Sequence, residues 1–159
     1  MREKKNIKLD IVNLLDEIQN GKYSNIQMNY YFSQNEYSKK EREFITNIIN
    51  VTLKNLIFVD YMLGQTVRNI QKRKIKQLLR ISVAQILFMD SDNAGVVYEA
   101  GEISKIINKH QTGFVNATLQ SIIKNKEEII NAMPEDKKEG IVHSYPQWFV
   151  NKLKTDYPD

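Results

Sequence analysis

From Leu78 to Met89 the sequence reads LLRISVAQILFM, and apart from Arg80, Ser82 and Gln85 every position is apolar. A helix that is apolar nearly all round has no face to give to water, so this segment must run through the middle of a core. The residues before it behave differently. At 100° per residue Arg73, Lys76 and Arg80 fall on one stripe, with Ile75, Leu78, Leu79 and Ser82 opposite. The segment Lys72 to Met89 therefore predicts a central helix, buried over its C-terminal half and leaving a basic N-terminal half at the surface.

A helix buried on every side needs helices around it, and the rest of the chain supplies the spacing for them. Ile7, Ile11, Leu14, Leu15 and Ile18 recur at helical intervals, and Gly21 offers a stop. A short segment, Ile26 to Phe32, follows. Ser38-Lys39-Lys40-Glu41 has the form of a capping box and opens a long run through Phe44, Ile45, Ile48, Ile49, Leu53, Leu56 and Ile57, as one helix or two, ending near Gly64. Ala94 to Asn108 places Val97, Ala100, Ile103 and Ile107 on one face, and Phe114 to Lys124 follows Gly113. A polar piece from Glu127 to Gly140 leads to a last helical segment. No stretch alternates with period two. These patterns predict an all-α bundle of about seven helices plus a C-terminal linker helix.

Length and composition restrict the function. At 159 residues, 42% of them hydrophobic, the chain can build one full core. No apolar run is long enough to span a bilayer. The N-terminus MREKKNIKLD lacks the apolar stretch of a secretory signal, and the chain has no cysteine, which fits a cytoplasmic location and excludes thiolate metal sites. There is no Gly-rich nucleotide loop, and His110 and His143 stand at no metal-ligand spacing. Carboxylate pairs such as Asp16–Glu17 and Glu127–Glu128 read as solvated. The sequence thus offers no catalytic residue and no metal site.

What it does offer is positive charge. Residues 1–80 hold 15 Lys/Arg against 8 Asp/Glu, whereas residues 81–159 hold 8 against 11. Such asymmetry suits a polyanion facing the first half, although a lysine-rich solvated surface would look the same. The candidate RNA-binding residues are Arg2, Lys4, Lys5 and Lys8 in the N-terminal arm, and Lys72, Arg73, Lys76 and Arg80 on the central helix, with Arg68 and Lys74 beside them. Cations on a polar face neutralise phosphates and give salt-dependent affinity without reading bases. Tyr30, Tyr31, Phe32 and Tyr37 could stack on bases, or pack between helices.

The C-terminal segment HSYPQWFVNKLKTDYPD places Pro146 just inside a helix start, followed by Trp148, Phe149, Val150 and Leu153. An ordered element this close to the last residue predicts a chain that is the front part of a longer protein, with Trp148 and Phe149 as interdomain contacts.

Several segments resemble the NusB family. LLRISVAQILFMD (Leu78 to Asp90) is similar to its arginine-led central helix, with Gln85 in register. Glu99, Ala100, Glu102 and Lys105 resemble its EAVELAK helix. GFVNATL (Gly113 to Leu119) is similar to its GFVNAVLR signature, and LIFVDYML (Leu56 to Leu63) resembles its LDxxL region. Gln120 stands where the family has Arg, and Val51 and Lys54 stand where it has Gly and Arg. The resemblance implies a NusB-like bundle of two subbundles. Two branches share that fold: free-standing antitermination factors, and the N-terminal domain of RsmB-type (Sun-type) small-subunit rRNA cytosine-C5 methyltransferases. The segment carrying Pro146, Trp148, Lys152, Leu153 and Tyr157 resembles the element that leads into the catalytic domain of the second branch.

That branch implies residues 1–140 as a helical RNA-binding domain and 141–159 as the start of a linker to a methyltransferase domain. It implies ribosomal RNA and the protein's own catalytic domain, in cis, as partners, and S-adenosylmethionine as the cofactor of that further domain. A thiolate must add to C6 of cytosine before C5 can take the methyl group. Lacking any cysteine, this chain is expected to perform no such chemistry itself. The other branch implies a leader RNA and a small ribosomal protein as partners.

Overall fold

A computed structural model describes residues 6–134. Seven α-helices follow in order among these residues: α1 (Ile7–Gln19), α2 (Ser24–Gln34), α3 (Lys39–Lys54), α4 (Leu56–Thr66), α5 (Arg73–Phe88), α6 (Asn93–Asn108) and α7 (Thr112–Asn131), with a 3-10 turn at Lys109–Gln111 before α7. The all-α expectation holds, and the central helix lies within one residue of its predicted bounds at each end.

Local chemistry sets the helix ends. Asn6 caps α1 by accepting from the Leu9 amide at 3.1 Å, and Gly21, at φ +98°, turns the chain out of it. The capping box at α3 is complete: Ser38 Oγ accepts from the Glu41 amide at 3.1 Å, and Glu41 Oε1 accepts from the Ser38 amide at 2.7 Å. The long apolar run beyond it is two helices. They part at Asn55, whose side-chain amide donates back to the Val51 carbonyl at 2.9 Å. Asp92 caps α6 through the Gly95 amide at 3.1 Å. Helix α7 runs past Glu127 to Asn131, into the stretch expected to be a polar linker, because Ile130 is buried and continues the apolar face of Leu119 and Ile122.

Helix α5 is the axis of the bundle. It packs on α1 and α3 on one side and on α4, α6 and α7 on the other, while α1, α2 and α3 cluster together and α6 packs along α7, which also meets α4. This is the two-subbundle arrangement, with α5 shared. From Gln77 to Leu87 every α5 residue is buried. Around it lie Ile11 and Leu15 of α1, Ile48 and Ile49 of α3, Phe58 and Met62 of α4, Ala100 of α6, and Leu119 and Ile122 of α7, all shielded from solvent. Each of these Ile, Leu, Phe and Met side chains contributes about 1.5–3 kcal/mol of burial free energy. Phe58 meets Phe88 edge to face at 5.7 Å between ring centres.

Candidate nucleic-acid interface

The start of α5 is built to hold positive charge. Its N-cap, Lys72, makes no side-chain capping bond, and its first turn contains no acidic residue. The unpaired amides there carry the positive end of the helix dipole, and Lys72, Arg73 and Lys74 add full charges to it. Both features disfavour the isolated helix and favour an anion at its end. The buried half of α5 holds it in place regardless.

Arg73 secures this end. Its Nε lies 2.8 Å from Asp16 Oδ1 of α1, with the carboxylate almost fully buried and the guanidinium side chain 63% exposed. The contact is an ion pair without hydrogen-bond alignment, since Asp16 Oδ1 receives no hydrogen bond among the described residues. Asp16 is therefore not the solvated carboxylate its sequence context suggested. The side chains of Arg68, Lys72, Lys74 and Lys76 make no ion pair or hydrogen bond among the described residues.

Beside this end, α4 and α5 run antiparallel and leave a cleft of about 180 Å³ where the connecting loop crosses. Leu63 and Gly64 of α4, Val67 and Ile70 of the loop, and Lys76 of α5 border it. Asp60 also reaches it, but its carboxylate is occupied: Arg80 donates from Nε to Oδ1 at 2.8 Å and from Nη2 to Oδ2 at 2.7 Å. Arg80 Nη1 donates to Gln77 Oε1 at 3.1 Å. Arg80 is only 8% exposed, so it faces inward and not along the basic surface with Arg73.

Lys8 also departs from expectation. It is 3% exposed and donates from Nζ to Gln85 Oε1 at 2.7 Å, with Glu99 Oε1 at 3.5 Å. Burial lowers its pKa to about 8, with Glu99 pulling the other way. The pairs Lys8–Gln85 and Asp16–Arg73 show that α1 and α5 run in opposite directions.

The expected site residues thus divide into three groups. Lys72, Arg73 and Lys76 come together at the start of α5. Lys8 and Arg80 lie inside as positioning groups. Arg2, Lys4, Lys5, Trp148 and Phe149 fall outside the described residues. Of the aromatics, Tyr31, Phe32 and Tyr37 pack against the core, Phe32 meets Tyr37 edge to face at 5.8 Å, and Tyr37 donates to Asp10 Oδ2 at 2.6 Å. Tyr30 remains exposed. Asn69 and Ile70 were not singled out by the sequence; the signal was their place in a short basic loop between two helices.

Residues 5–124 match the NusB family as a whole, about three-quarters of the chain. The chain belongs to the NusB family. Among curated relatives, the probable ribosomal RNA small subunit methyltransferase B of Bacillus subtilis (strain 168) is 32% identical over 144 residues, covering 87% of this chain and 32% of that protein. The transcription antitermination protein NusB of Campylobacter jejuni (strain RM1221) is 24% identical over 132 residues, covering 80% of this chain and 100% of that protein. The chain therefore spans about a third of the Bacillus relative's length. Residues in the segments that resemble NusB motifs turn out to serve the NusB fold: Asp60 meets Arg80, and Gln85 and Glu99 both meet Lys8. Among the described residues no helix is long and apolar enough to cross a membrane, and no group of three or more His, Asp or Glu could hold a metal ion.

Proposed function

We propose that this chain is the RNA-binding accessory domain of a small-subunit (16S) rRNA cytosine-C5 methyltransferase, holding rRNA while a further domain of the same polypeptide methylates it. The observation that carries this reading is the set of unpartnered cations around the start of α5: Arg68, Lys72, Lys74 and Lys76. Unneutralised charge at an uncapped helix start, exposed at Arg68, Lys72 and Lys74 and half-buried at Lys76, is matched to a phosphate backbone. The greater identity to the Bacillus methyltransferase than to the Campylobacter factor supports this branch.

In this reading Arg73 contributes its exposed edge, and Arg2, Lys4 and Lys5 extend the basic surface. Lys8 and Arg80 hold helices in place instead of touching RNA. Residues 1–140 form the RNA-binding part, and 141–159 begin the linker, with Trp148 and Phe149 against the catalytic domain. S-adenosylmethionine does not fit the residues described. Its usual crevice lies at the carboxyl ends of parallel strands, and the regular elements here are helices. The chain also lacks the thiol that must attack C6. No step of methyl transfer is assigned to this chain.

The test is binding of a 16S rRNA fragment by the chain and by a Lys72→Gln, Lys74→Gln, Lys76→Gln variant at several salt concentrations. The variant should bind about tenfold more weakly, on the order of 1.4 kcal/mol. Equal affinity, insensitive to salt, would overturn the reading. A second reading, a transcription antitermination factor on a leader RNA, is favoured by one observation: the match to the Campylobacter factor covers that protein's whole length. Tight stoichiometric capture of a small ribosomal protein by the chain would support it instead.

A further inference from the structure

We propose that the cleft between the end of α4 and the start of α5 takes one unstacked nucleotide of a single-stranded RNA, with its base on Leu63, Val67 and Ile70 and its phosphate on Arg68 and Lys76. This rests on the RNA-binding reading above and adds a defined subsite to it.

The size of the cleft comes first. At about 180 Å³ it lies below the roughly 300–1,000 Å³ of sites for drug-sized ligands, on the scale of a single ring system. One part of its wall is aliphatic. Leu63 is buried at the back of the cleft and Val67 and Ile70 are half-buried, so the open parts of these two loop side chains are the apolar surface a base can meet. Duplex RNA keeps its bases stacked and presents backbone; only loops and single strands can turn a base into such a recess.

The charges are arranged for a phosphate at the rim. Arg68 is exposed and Lys76 half-buried, and neither has a side-chain partner among the described residues. Among the described residues Asp60 is the one carboxylate bordering the cleft, and it would ordinarily repel an anion. Both of its oxygens are taken by Arg80, so its charge is neutralised where it stands. The rim therefore attracts phosphate without an opposing field from the floor. Asn69, at the same rim, offers an amide with donors and an acceptor for a base edge and has no partner among the described residues.

Gly64 gives a way to close the cleft without touching a charge. A Cβ added there meets nothing within 4 Å, and its backbone is helical, so Gly64→Leu extends a side chain into open space and improves helix propensity. The probe is a labelled single-stranded RNA of about 12 nucleotides, within the site sizes of single-strand binders. A blunt duplex of the same length is titrated in parallel. Gly64→Leu should weaken single-strand binding about five- to tenfold, the lower end of one base contact, and leave both duplex binding and the salt slope unchanged.

If Gly64→Leu binds single strands as the unaltered chain does while Arg68→Gln with Lys76→Gln binds weakly, the nucleotide subsite is wrong and the RNA-binding reading stands. Equal weakening on single strand and duplex also overturns the subsite. If the unaltered chain binds neither RNA, both readings fall. Photocrosslinking of the unaltered chain to the same RNA carrying 4-thiouridine needs no variant. Adducts should fall within residues 63–70, and adducts only elsewhere would overturn the subsite.

Discussion

Arg80 grips Asp60 through two parallel contacts of 2.8 and 2.7 Å, joining the buried face of α5 to α4. Arg80 stands two residues into Leu78–Asp90, and Asp60 lies within Leu56–Leu63, so two segments far apart in the chain meet at one ion pair. Asp60 also borders the cleft that the basic loop crosses, so the pair ties α4 to α5 beside that loop.

Removing one partner of this pair should cost more than removing both. Asp60→Ala leaves a nearly buried guanidinium without its carboxylate. Because Asp60 itself is 36% exposed, the loss is discounted from the fully buried case to about 2 kcal/mol. Asp60→Ala combined with Arg80→Met should lose less than the sum of the two single changes. Urea unfolding of the four proteins in the cycle measures the coupling.

Stability should rise with pH just above neutrality because of Lys8. Its folded pKa is lowered by burial to about 8, against 10.5 when unfolded. Below pH 8 both states carry the charge, and burying it opposes folding. Between about 8 and 10.5 the folded protein has released the proton and the unfolded chain has kept it. Unfolding then takes up a proton, and stability climbs by at most about 1.4 kcal/mol per pH unit. Lys8→Met should flatten the rise in chemical denaturation between pH 7.5 and 9.5. Above that range Tyr31, raised to about 12 by burial and then by Glu17, acts in the opposite sense. A rise of the same slope in Lys8→Met would contradict the assignment.

The α3 capping box should be measurable alone. Ser38→Ala removes the acceptor for the Glu41 amide at an exposed helix start and should cost about 1 kcal/mol. Guanidinium unfolding reads the loss, and RNA affinity should not change.

The cations at the start of α5 should separate into two kinds. Lys72→Gln, Lys74→Gln and Lys76→Gln together should leave unfolding unchanged and reduce the slope of log K against log salt by roughly 2, at about 0.7 per phosphate contact on single strands. Arg73→Gln should instead lose about 1 kcal/mol of stability, because the buried Asp16 carboxylate loses its cation while much of the arginine is in water. A stability loss in the lysine variant, or none in Arg73→Gln, would merge the two kinds.

The helices were legible because their apolar faces repeat, and the central one because its face closes on itself from Ile81 to Met89. The break at Asn55 was not, since Leu53, Leu56 and Ile57 keep the helical spacing across it; only the asparagine bonding back to Val51 marks the end. Helix α7 reached further than expected because Ile129 and Ile130 were read as part of a polar stretch, yet they stand seven residues after Ile122 and Ile123. The basic end of α5 was visible as composition. Lys8, Asp16 and Arg80 were misplaced for a common reason. A charged residue in sequence looks solvated, and its burial depends on a partner supplied by another helix: Glu99 and Gln85 for Lys8, Arg73 for Asp16, Asp60 for Arg80. The cleft was beyond reach because it exists only once α4 and α5 lie side by side.

Helix α5 belongs to both halves of the bundle, so the molecule can be divided on paper but not in solution. A cut in the loop before it hands the common wall to one piece and leaves α1 to α4 without the surface they close upon. Neither fragment should fold alone, yet mixing the two should restore a native spectrum. The same indivisibility makes the domain a single unit of inheritance: recombination within it would separate walls that are stable only together, whereas recombination at its borders would move the basic end of α5 intact.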